Sequence, residues 1–256
     1  MDLKLFVLLL FSLQGLYWLI GKRASKKLQN KEDYFLAGKT VKLFPLMMTF
    51  LATQVGGGLV LGAADEAYHF GWSVLLYPLG ASLGLIVLGA GIGRKLSEFK
   101  VSTVAEIFEV VYKSIFLKKI ASLLSIISLF MILIAQVIAS HKFLVSLGFN
   151  STALFLAFWA IVIVYTTQGG LKAVISTDIA QAGFFSIVFL ACFGLSIFSN
   201  LPLLDVSLVS HLPLTPSKLC GWLFMPLLFM MIEQDMGQRC FSGSSGKIVS
   251  KASFFA

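Results

Sequence analysis

The stretch FLATQVGGGLVLGAADEAYHFG, residues 50–71, places three consecutive glycines, Gly56, Gly57 and Gly58, inside an otherwise apolar run. Each glycine costs about 1 kcal/mol relative to alanine in a water-exposed helix. Three in succession therefore predict a point at which an apolar helix over residues 43–66 unwinds. A second interpretation is that the small residues let a neighbouring helix approach closely. These residues alone leave both interpretations open.

The composition of the whole chain indicates an integral membrane protein. Its 256 residues are 58% hydrophobic and 12% charged, and the mean hydropathy is +0.91, whereas soluble domains carry roughly 25% charged residues. We therefore expect a multi-pass protein of the plasma (inner) membrane, surrounded by the lipid bilayer. The net charge of +8 does not indicate nucleic acid as a partner, because no basic stripe is interleaved with aromatic residues.

Gaps between charged residues predict seven membrane spans, since about 20 apolar residues cross a bilayer. The chain is then a single transmembrane domain, 1–256, with spans at 4–21, 43–66, 70–93, 119–141, 151–168, 178–200 and 219–239. The last span requires that Glu233 and Asp235 lie within the membrane and that Arg239 marks its end. In the alternative, this helix begins near Leu212 and both acids lie at the membrane surface.

The distribution of lysine and arginine supports this count, because these residues concentrate in cytoplasmic loops. With the N-terminus outside, 17 of the 20 Lys and Arg residues fall in loops on one side of the membrane, which we call the basic side. Only Lys4, Lys142 and Lys218 fall on the opposite side, which we call the far side. The basic side is therefore predicted to be cytoplasmic.

A second span also contains helix-breaking residues. Residues 219–239 include Pro226, two carboxylates and Gly237. Two interrupted apolar segments in corresponding positions of two halves point to the central site of a secondary transporter. Carboxylates within a membrane are costly and usually face a cavity or a partner. We therefore expect Glu233 and Asp235 to lie near such a cavity.

Three motifs resemble those of the sodium:solute symporter family, whose members carry sugars, proline, pantothenate, iodide and choline. They are EDYFLAG at 32–38, TTQGGLKAVISTDIAQ at 166–181 and GQRCFSGSS at 237–245. They stand in the family's order, and the resemblance covers essentially the whole chain. The glycine triplet is also similar to the high-affinity choline transporter branch. Gln54 stands where that branch has a tryptophan, which would form one wall of an aromatic box for a quaternary ammonium.

The resemblance implies an all-α fold, the N-terminal part of a leucine-transporter-like inverted repeat of five plus five helices with one extra N-terminal helix. It implies a sodium-coupled symporter of a small organic solute that works by alternating access. Sodium would be a co-substrate, and we expect no other metal and no cofactor. No HExxH or GxSxG motif is present, and we do not expect an enzyme.

The resemblance also implies site residues. Backbone carbonyls of Ala52 and Val55 would bind sodium, and Thr177 and Asp178 match a Thr-Asp pair that influences sodium use. Asp178 is alternatively the N-cap of the helix over 178–200. The implied substrate contacts are Gln54, Gly56, Gly57, Gly58, Glu233 and Gln234.

Members of this family are usually about twice as long, so the helix that carries the sodium-binding hydroxyls would lie beyond this chain. Three explanations stay open: a truncated gene product, a carrier completed by a separate C-terminal half, and a fragment. A different function is that of a sensor or regulatory module, because symporter-like helices also occur fused to histidine-kinase modules.

Overall fold

The computed structural model describes residues 3–26, 28–198 and 214–256. In these ranges the helices are α1 (Leu3–Ser25), α2 (Lys31–Leu36), α3 (Leu43–Gln54), α4 (Gly57–Phe70), α5 (Leu76–Val87), α6 (Gly93–Glu98), α7 (Val104–Tyr112), α8 (Ile115–Ser146), α9 (Thr152–Phe198), α10 (Pro216–Ile232), α11 (Gln234–Ser242) and α12 (Gly246–Phe255). Short 3-10 segments at Ala37–Lys39 and Gly71–Leu75 and a π-helical turn at Leu88–Ile92 connect some of them. The all-α prediction is confirmed.

The first predicted helix break lies between α3 and α4, at Val55 and Gly56. The N–H of Val55 still bonds to the carbonyl of Leu51, while Gly56 already accepts the first bond of α4. Gly57 and Gly58 are therefore the first two residues of α4. The break is confirmed, and it begins one residue before the glycine triplet.

The second predicted break lies at Glu233, between α10 and α11, whose axes are bent by 46°. Glu233 has an extended backbone conformation, with φ −64° and ψ 131°. The helix before it begins at Pro216, because Thr215 is still extended and proline suits the first helical position. This start lies between the predicted one at 219 and the alternative near Leu212, which lies outside the described residues; Lys218 is inside the helix, and 17 helical residues precede Glu233.

A third break divides α9 at Gly170, where φ is +53° and ψ is −157°. Only glycine adopts this conformation readily. Gly170 follows the predicted 151–168 span by two residues, and the helix resumes directly after it. Asp178 consequently lies two turns inside the helical segment 171–198, and its interpretation as an N-cap is wrong. The end of the predicted span, 199–200, lies outside the described residues.

Length and composition identify membrane-spanning helices in the described ranges. Four are long and apolar enough, at Lys4–Ser25, Leu59–Glu98, Ile115–Ser146 and Thr152–Phe198, and the bent pair α10 and α11 is a fifth. This supports a multi-pass membrane protein. The count of seven spans stays a prediction, and it requires that Gly170 separates two spans and that α3 with α4 forms another.

The packing of the helices brings the predicted basic-side loops together. α2 packs against α9 and α11, and α11 packs against α6 and α7. A core of fully buried side chains, including Leu46, Phe50, Met236 and Val249, joins α3, α11 and α12. α1 lies along α9, and α10 lies along α5. The loops assigned to one side from their charge are therefore neighbours in the fold.

α2 is fastened to the break in α9, so two of the three motifs meet there. Asp33 Oδ1 lies 2.5 Å from Lys172 Nζ, and the hydroxyl of Tyr34 donates to the carbonyl of Thr167 at 2.8 Å. A Cβ atom at Gly170 would lie only 2.5 Å from the carbonyl oxygen of Tyr34. The absence of a side chain at Gly170 therefore lets α2 approach this closely.

Replacing Gly170 with alanine tests this close approach. We expect a loss of about 1–3 kcal/mol of stability, because the alanine is strained at positive φ and its methyl group collides with α2. Gly183→Ala is the matched control in the same helix, since no described atom lies within 4 Å of a Cβ there. Thermal unfolding in detergent measures both variants. Equal unfolding midpoints for the two would contradict the role given to Gly170.

The ion pair between Asp33 and Lys172 predicts a pH dependence. The Lys172 ammonium and the backbone N–H of Gln29 hold the pKa of Asp33 below its ordinary value. The ion pair therefore contributes fully above the ordinary carboxyl pKa of about 4 and is lost as the pH falls through the lowered native pKa. We expect the stability difference between the wild type and Asp33→Asn to be constant near neutral pH and to vanish in acid. A difference that persists in strong acid would contradict this assignment.

Candidate functional site

A buried polar network joins α3, α9 and α11. The guanidinium of Arg239 donates through Nε to Thr49 Oγ1 at 2.9 Å and through Nη2 to Asp178 Oδ2 at 3.3 Å. The hydroxyl of Thr49 donates to the same carboxylate oxygen. Nη1 of Arg239 lies 2.6 Å from Asp235 Oδ1, within α11. One cation and two carboxylates are thus held together by three helices.

This network corrects the role expected for Arg239. The sequence placed Arg239 at the membrane end of the last span, yet only 4% of its surface is exposed. A buried charge is tolerated when a partner of opposite charge and further hydrogen bonds compensate its desolvation. Asp178 and Asp235 supply those partners. Arg239 is therefore part of the interior, and it is a residue that the sequence analysis missed for the site.

The predicted sodium residues fall partly together. Asp178 contacts α3 through the hydroxyl of Thr49, which lies one helical turn before Ala52. The carbonyls of Ala52 and Val55 follow the last helical bond of α3 and have no acceptor role within that helix. The hydroxyl of Thr177, by contrast, donates to carbonyls of its own helix. The structure brings Asp178 to α3 and leaves Thr177 bonded within α9.

Gln136 of α8 lies against the break between α3 and α4. Its Oε1 accepts the N–H of Gly57 at 3.0 Å, and a Cβ at Gly56 would lie 2.8 Å from its Nε2. A Cβ at Gly57 would also lie 3.4 Å from the Cβ of Ala139. The glycines therefore serve both as a helix break and as a surface of close approach. The sequence signal for Gln136 is a single amide in an apolar helix.

The other predicted substrate residues are divided between two places. Gln54, the last residue of α3, is half-buried at the first break, and Glu233 is half-buried at the second. The Oε1 atom of Gln234 accepts the N–H of Val104 at 2.8 Å, so this amide caps the start of α7. Gln234 thus has a structural partner, while Gln54 and Glu233 lie at the two breaks.

A small pocket lies between α4 and α10 on the far side. Its volume is about 200 Å³, and it is lined by Leu59, Gly62, Ala63, Glu66, Val74, Tyr77 and Trp222. Lys218 closes this region, with Nζ 3.0 Å from Glu66 Oε2 and 3.5 Å from the centroid of the Phe70 ring. In the sequence Lys218 is only a topology signal, and this contact between the two broken helices could not be predicted from it.

Comparisons with known proteins agree with these motifs. The profile of the sodium:solute symporter family matches residues 34–207. The sodium/pantothenate symporter of Haemophilus influenzae is 29% identical over 156 residues, which are 58% of this chain and 32% of that protein. The sodium/glucose cotransporter of Vibrio parahaemolyticus is 26% identical over 178 residues (66% and 31%). High-affinity choline transporter 1 of Caenorhabditis elegans is 25% identical over 170 residues (62% and 28%).

The chain therefore spans about a third of the length of the curated relatives it matches. Each of these relatives is a transporter by its name, and none is an enzyme.

A solved structure shows the same fold. A Na⁺-coupled sialic acid symporter, in a substrate-bound outward-open state, matches with a TM-score of 0.69 at 19% identity, over 96% of this chain and 55% of that chain. The expected fold, the N-terminal part of a leucine-transporter-like inverted repeat with one extra N-terminal helix, is thus confirmed. With its profile match and with its three motifs gathered around one buried network, the chain belongs to the sodium:solute symporter family.

Proposed function

We propose that this chain is the N-terminal part of a sodium-coupled symporter that moves a small organic solute by alternating access. It lies in the plasma (inner) membrane with its N-terminus outside. The observation that carries this proposal is the break between α3 and α4, which ends the same helix that Asp178 holds through the hydroxyl of Thr49. In membrane transporters, unwound backbone of this kind coordinates ions without requiring a charged side chain.

Sodium is the ion that the freed carbonyls of α3 suit. It is a hard cation, and hard cations prefer oxygen ligands such as backbone carbonyls. Ala52 and Val55 lie at the C-terminal end of α3, where the helix dipole adds negative potential. Asp178 of α9 contacts Thr49, which lies one turn before Ala52 in α3. We assign the direct contacts to Ala52 and Val55, and Thr177 and Asp178 support them from α9.

Asp178 acts on this site through the position of α3. Its Oδ2 already accepts bonds from Thr49 and Arg239, so the carboxylate holds α3 and α11 against α9. A change at Asp178 therefore moves the carbonyls at the end of α3. Thr177 precedes Asp178 in α9, and its hydroxyl fixes the local geometry of the helix by donating to the backbone carbonyl of Ala173.

The solute is proposed to bind where the two broken helices face the rest of the protein. Gln54 offers an amide at the first break, where Gly56, Gly57 and Gly58 carry no side chain, and Glu233 and Gln234 lie at the second. By their names, three of the relatives carry pantothenate, glucose and choline. These solutes differ in charge: the first is an anion, the second is neutral and the third is a cation. Glu233 suits a cationic or hydroxylated group, which keeps both kinds of solute as substrates to test.

Transport would be driven by sodium entry. The membrane potential alone supplies about 2.3 kcal/mol per charge per 100 mV. The second wall of the sodium site, which hydroxyl groups form in relatives, would come from a C-terminal half, either on a separate polypeptide or on a longer form of this chain. Sodium would then hold α3 against that half and prepare the solute site.

A bulky residue at Gly57 tests the broken helix. Gly57→Ile places a branched side chain where a Cβ is already 3.1 Å from Gln136 Oε1, so we expect α8 and α4 to separate. In the carrier completed by its C-terminal half, the apparent affinities for ²²Na⁺ and for the transported solute should both fall at least about tenfold, the effect of about 1.4 kcal/mol. Gly62→Ala in the same helix is the control, because no described atom lies within 4 Å of a Cβ there.

The function itself is tested by uptake into vesicles that lack other transport activity. Radiolabelled pantothenate, glucose and choline are supplied with and without a sodium gradient, to the chain alone and to the chain with its C-terminal half. We expect sodium-dependent uptake only for the completed carrier. Uptake that ignores sodium would contradict the proposed coupling, and sodium-dependent uptake by the chain alone would contradict the need for a second half.

The network around Arg239 predicts a compensating pair of substitutions. Asp178→Asn or Arg239→Gln alone leaves a buried charge with too few partners, which costs about 3–5 kcal/mol. The double variant removes the Asp178–Arg239 pair and leaves Asp235, whose side chain is 39% exposed, without its cation. It should therefore recover much, though not all, of the stability and of the ²²Na⁺ affinity, since Asp178 acts by positioning α3. Glu98→Gln, which breaks the exposed pair with Arg94, should change stability by no more than about 1 kcal/mol.

Thermal unfolding and ²²Na⁺ binding of the carrier completed by its C-terminal half, both in detergent, measure these variants. A double variant that is stable but does not bind sodium would show that Asp178 contacts the ion directly. That result would contradict the positioning role.

A further inference from the structure

We infer that a pocket between α1, α3 and α9 binds the phosphate headgroup of an anionic glycerophospholipid. The pocket lies at the basic side and has a volume of about 640 Å³. It is separate from the two helix breaks and from the pocket beneath Lys218. The inference does not depend on which solute is carried, and it requires only that these helices lie in a membrane.

Three cations from three helical segments line the pocket, and none of the acidic residues in the described ranges does. They are Arg23 at the end of α1, Lys42 immediately before α3, and Lys172 just after the break in α9. Arg23 and Lys42 are exposed at the rim, and Lys172 forms an ion pair with Asp33. The hydroxyl of Thr40 also lines the rim. Converging cations and hydroxyl groups are the usual recognition chemistry for a phosphate.

The start of α3 adds to this attraction. Lys42 is the N-cap of α3 and Pro45 lies in its first turn, and both line the pocket. Because proline has no N–H, the donors of this first turn are those of Leu43 and Phe44. No side chain caps this helix in the described structure. The free N–H groups at a helix start carry partial positive charge and attract phosphate. The helix start supports the cationic rim and does not act alone.

The pocket is amphiphilic, and its polarity is the same on all three helices. About one turn deeper than each cation, towards the middle of the helix, lies an apolar lining residue: Ile20 before Arg23, Pro45 after Lys42, and Ile175 after Lys172, followed by Ile179. An inorganic phosphate would use only the rim. A phospholipid places its headgroup at the rim and the start of an acyl chain against the isoleucines.

The depth of the rim agrees with the headgroup region of a bilayer. Lys22, beside Arg23, lies over the ring of Trp18 at 4.7 Å from the centroid. Tryptophan and lysine together are typical of the membrane interface. Basic pockets between membrane helices at the cytoplasmic side attract anionic lipids. The rim therefore lies at the level where lipid phosphates are found.

A second pocket on the same side provides a contrast. It is larger, about 1020 Å³, and Lys31, Lys39 and Lys100 line it together with Glu32 and Glu106. These carboxylates offset much of its positive charge. Anion binding is therefore expected between α1, α3 and α9 rather than wherever lysines gather.

Native mass spectrometry of the purified full chain tests the lipid site. The chain is released from mixed vesicles with equal amounts of phosphatidylglycerol and phosphatidylcholine that carry the same acyl chains. We expect the wild type to retain one phosphatidylglycerol in preference to phosphatidylcholine. Arg23→Gln with Lys42→Gln should lower this retention at least about tenfold, because each interfacial cation contributes about 1 kcal/mol.

Two further variants separate the site from general surface charge and from misfolding. Lys95→Gln with Lys247→Gln removes two exposed lysines that do not line the pocket, and it should retain phosphatidylglycerol like the wild type. Ile20→Trp keeps every charge and fills the apolar half, and it should lose the lipid. Arg23→Lys with Lys42→Arg keeps the charge and should retain it.

Three results would overturn the inference. Equal retention of both lipids by the wild type would exclude a specific site, and equal losses in the two double Gln variants would show only diffuse attraction. Displacement of the lipid by millimolar glycerol 3-phosphate or inorganic phosphate, with Ile20→Trp unaffected, would show a site for a soluble phosphate compound.

Discussion

The guanidinium of Arg239 is the group on which the arrangement of the helices depends. It is nearly inaccessible to solvent, and its desolvation is compensated in part by Asp235 of its own helix and for the rest by Asp178 of α9 and Thr49 of α3. Removing a partner leaves a charge in the interior, so three helices must keep one relative position. α11 also holds α2, since Gln238 Nε2 donates to the carbonyl of Phe35 at 2.7 Å. The three sequence motifs are thus parts of one contact region.

Glycine makes this region possible in two different ways. At Gly170 the requirement is conformational and steric at once, because positive φ and the carbonyl of Tyr34 both exclude a side chain. At Gly56 and Gly57 the backbone is not strained, and the requirement is the space that Gln136 occupies. The amide of Gln136 then satisfies a backbone N–H that the break leaves open. A helix can therefore be interrupted in an apolar environment without leaving that donor unpaired.

Much of this fold could be predicted from the sequence, because its signals are local. Hydropathy locates the helices, and the glycine triplet locates the first break to within about a residue. The second break was predicted only for the segment 219–239, and Pro226 and Gly237 both lie inside helices, α10 and α11. The contacts among Thr49, Asp178 and Arg239 could not be predicted, since they join positions far apart in the chain. Charge alone misplaced Arg239 because an arginine near a helix end is ordinarily solvated. The N-cap interpretation of Asp178 was wrong because the helix resumes directly after Gly170, which the pair Gly169 and Gly170 does not reveal in the sequence.

The ion pair between Lys218 and Glu66 is more sensitive to salt than the ion pair between Arg239 and Asp178. The side chains of this pair are 33% and 38% exposed, whereas those of Arg239 and Asp178 are 5% and 12% exposed. Mobile ions screen exposed charges over a Debye length of about 8 Å at physiological ionic strength and hardly reach buried ones. Raising the ionic strength therefore weakens the Lys218–Glu66 contact and leaves the Arg239–Asp178 pair nearly unchanged. The salt concentration of the medium thus sets how firmly α10 is held against α4.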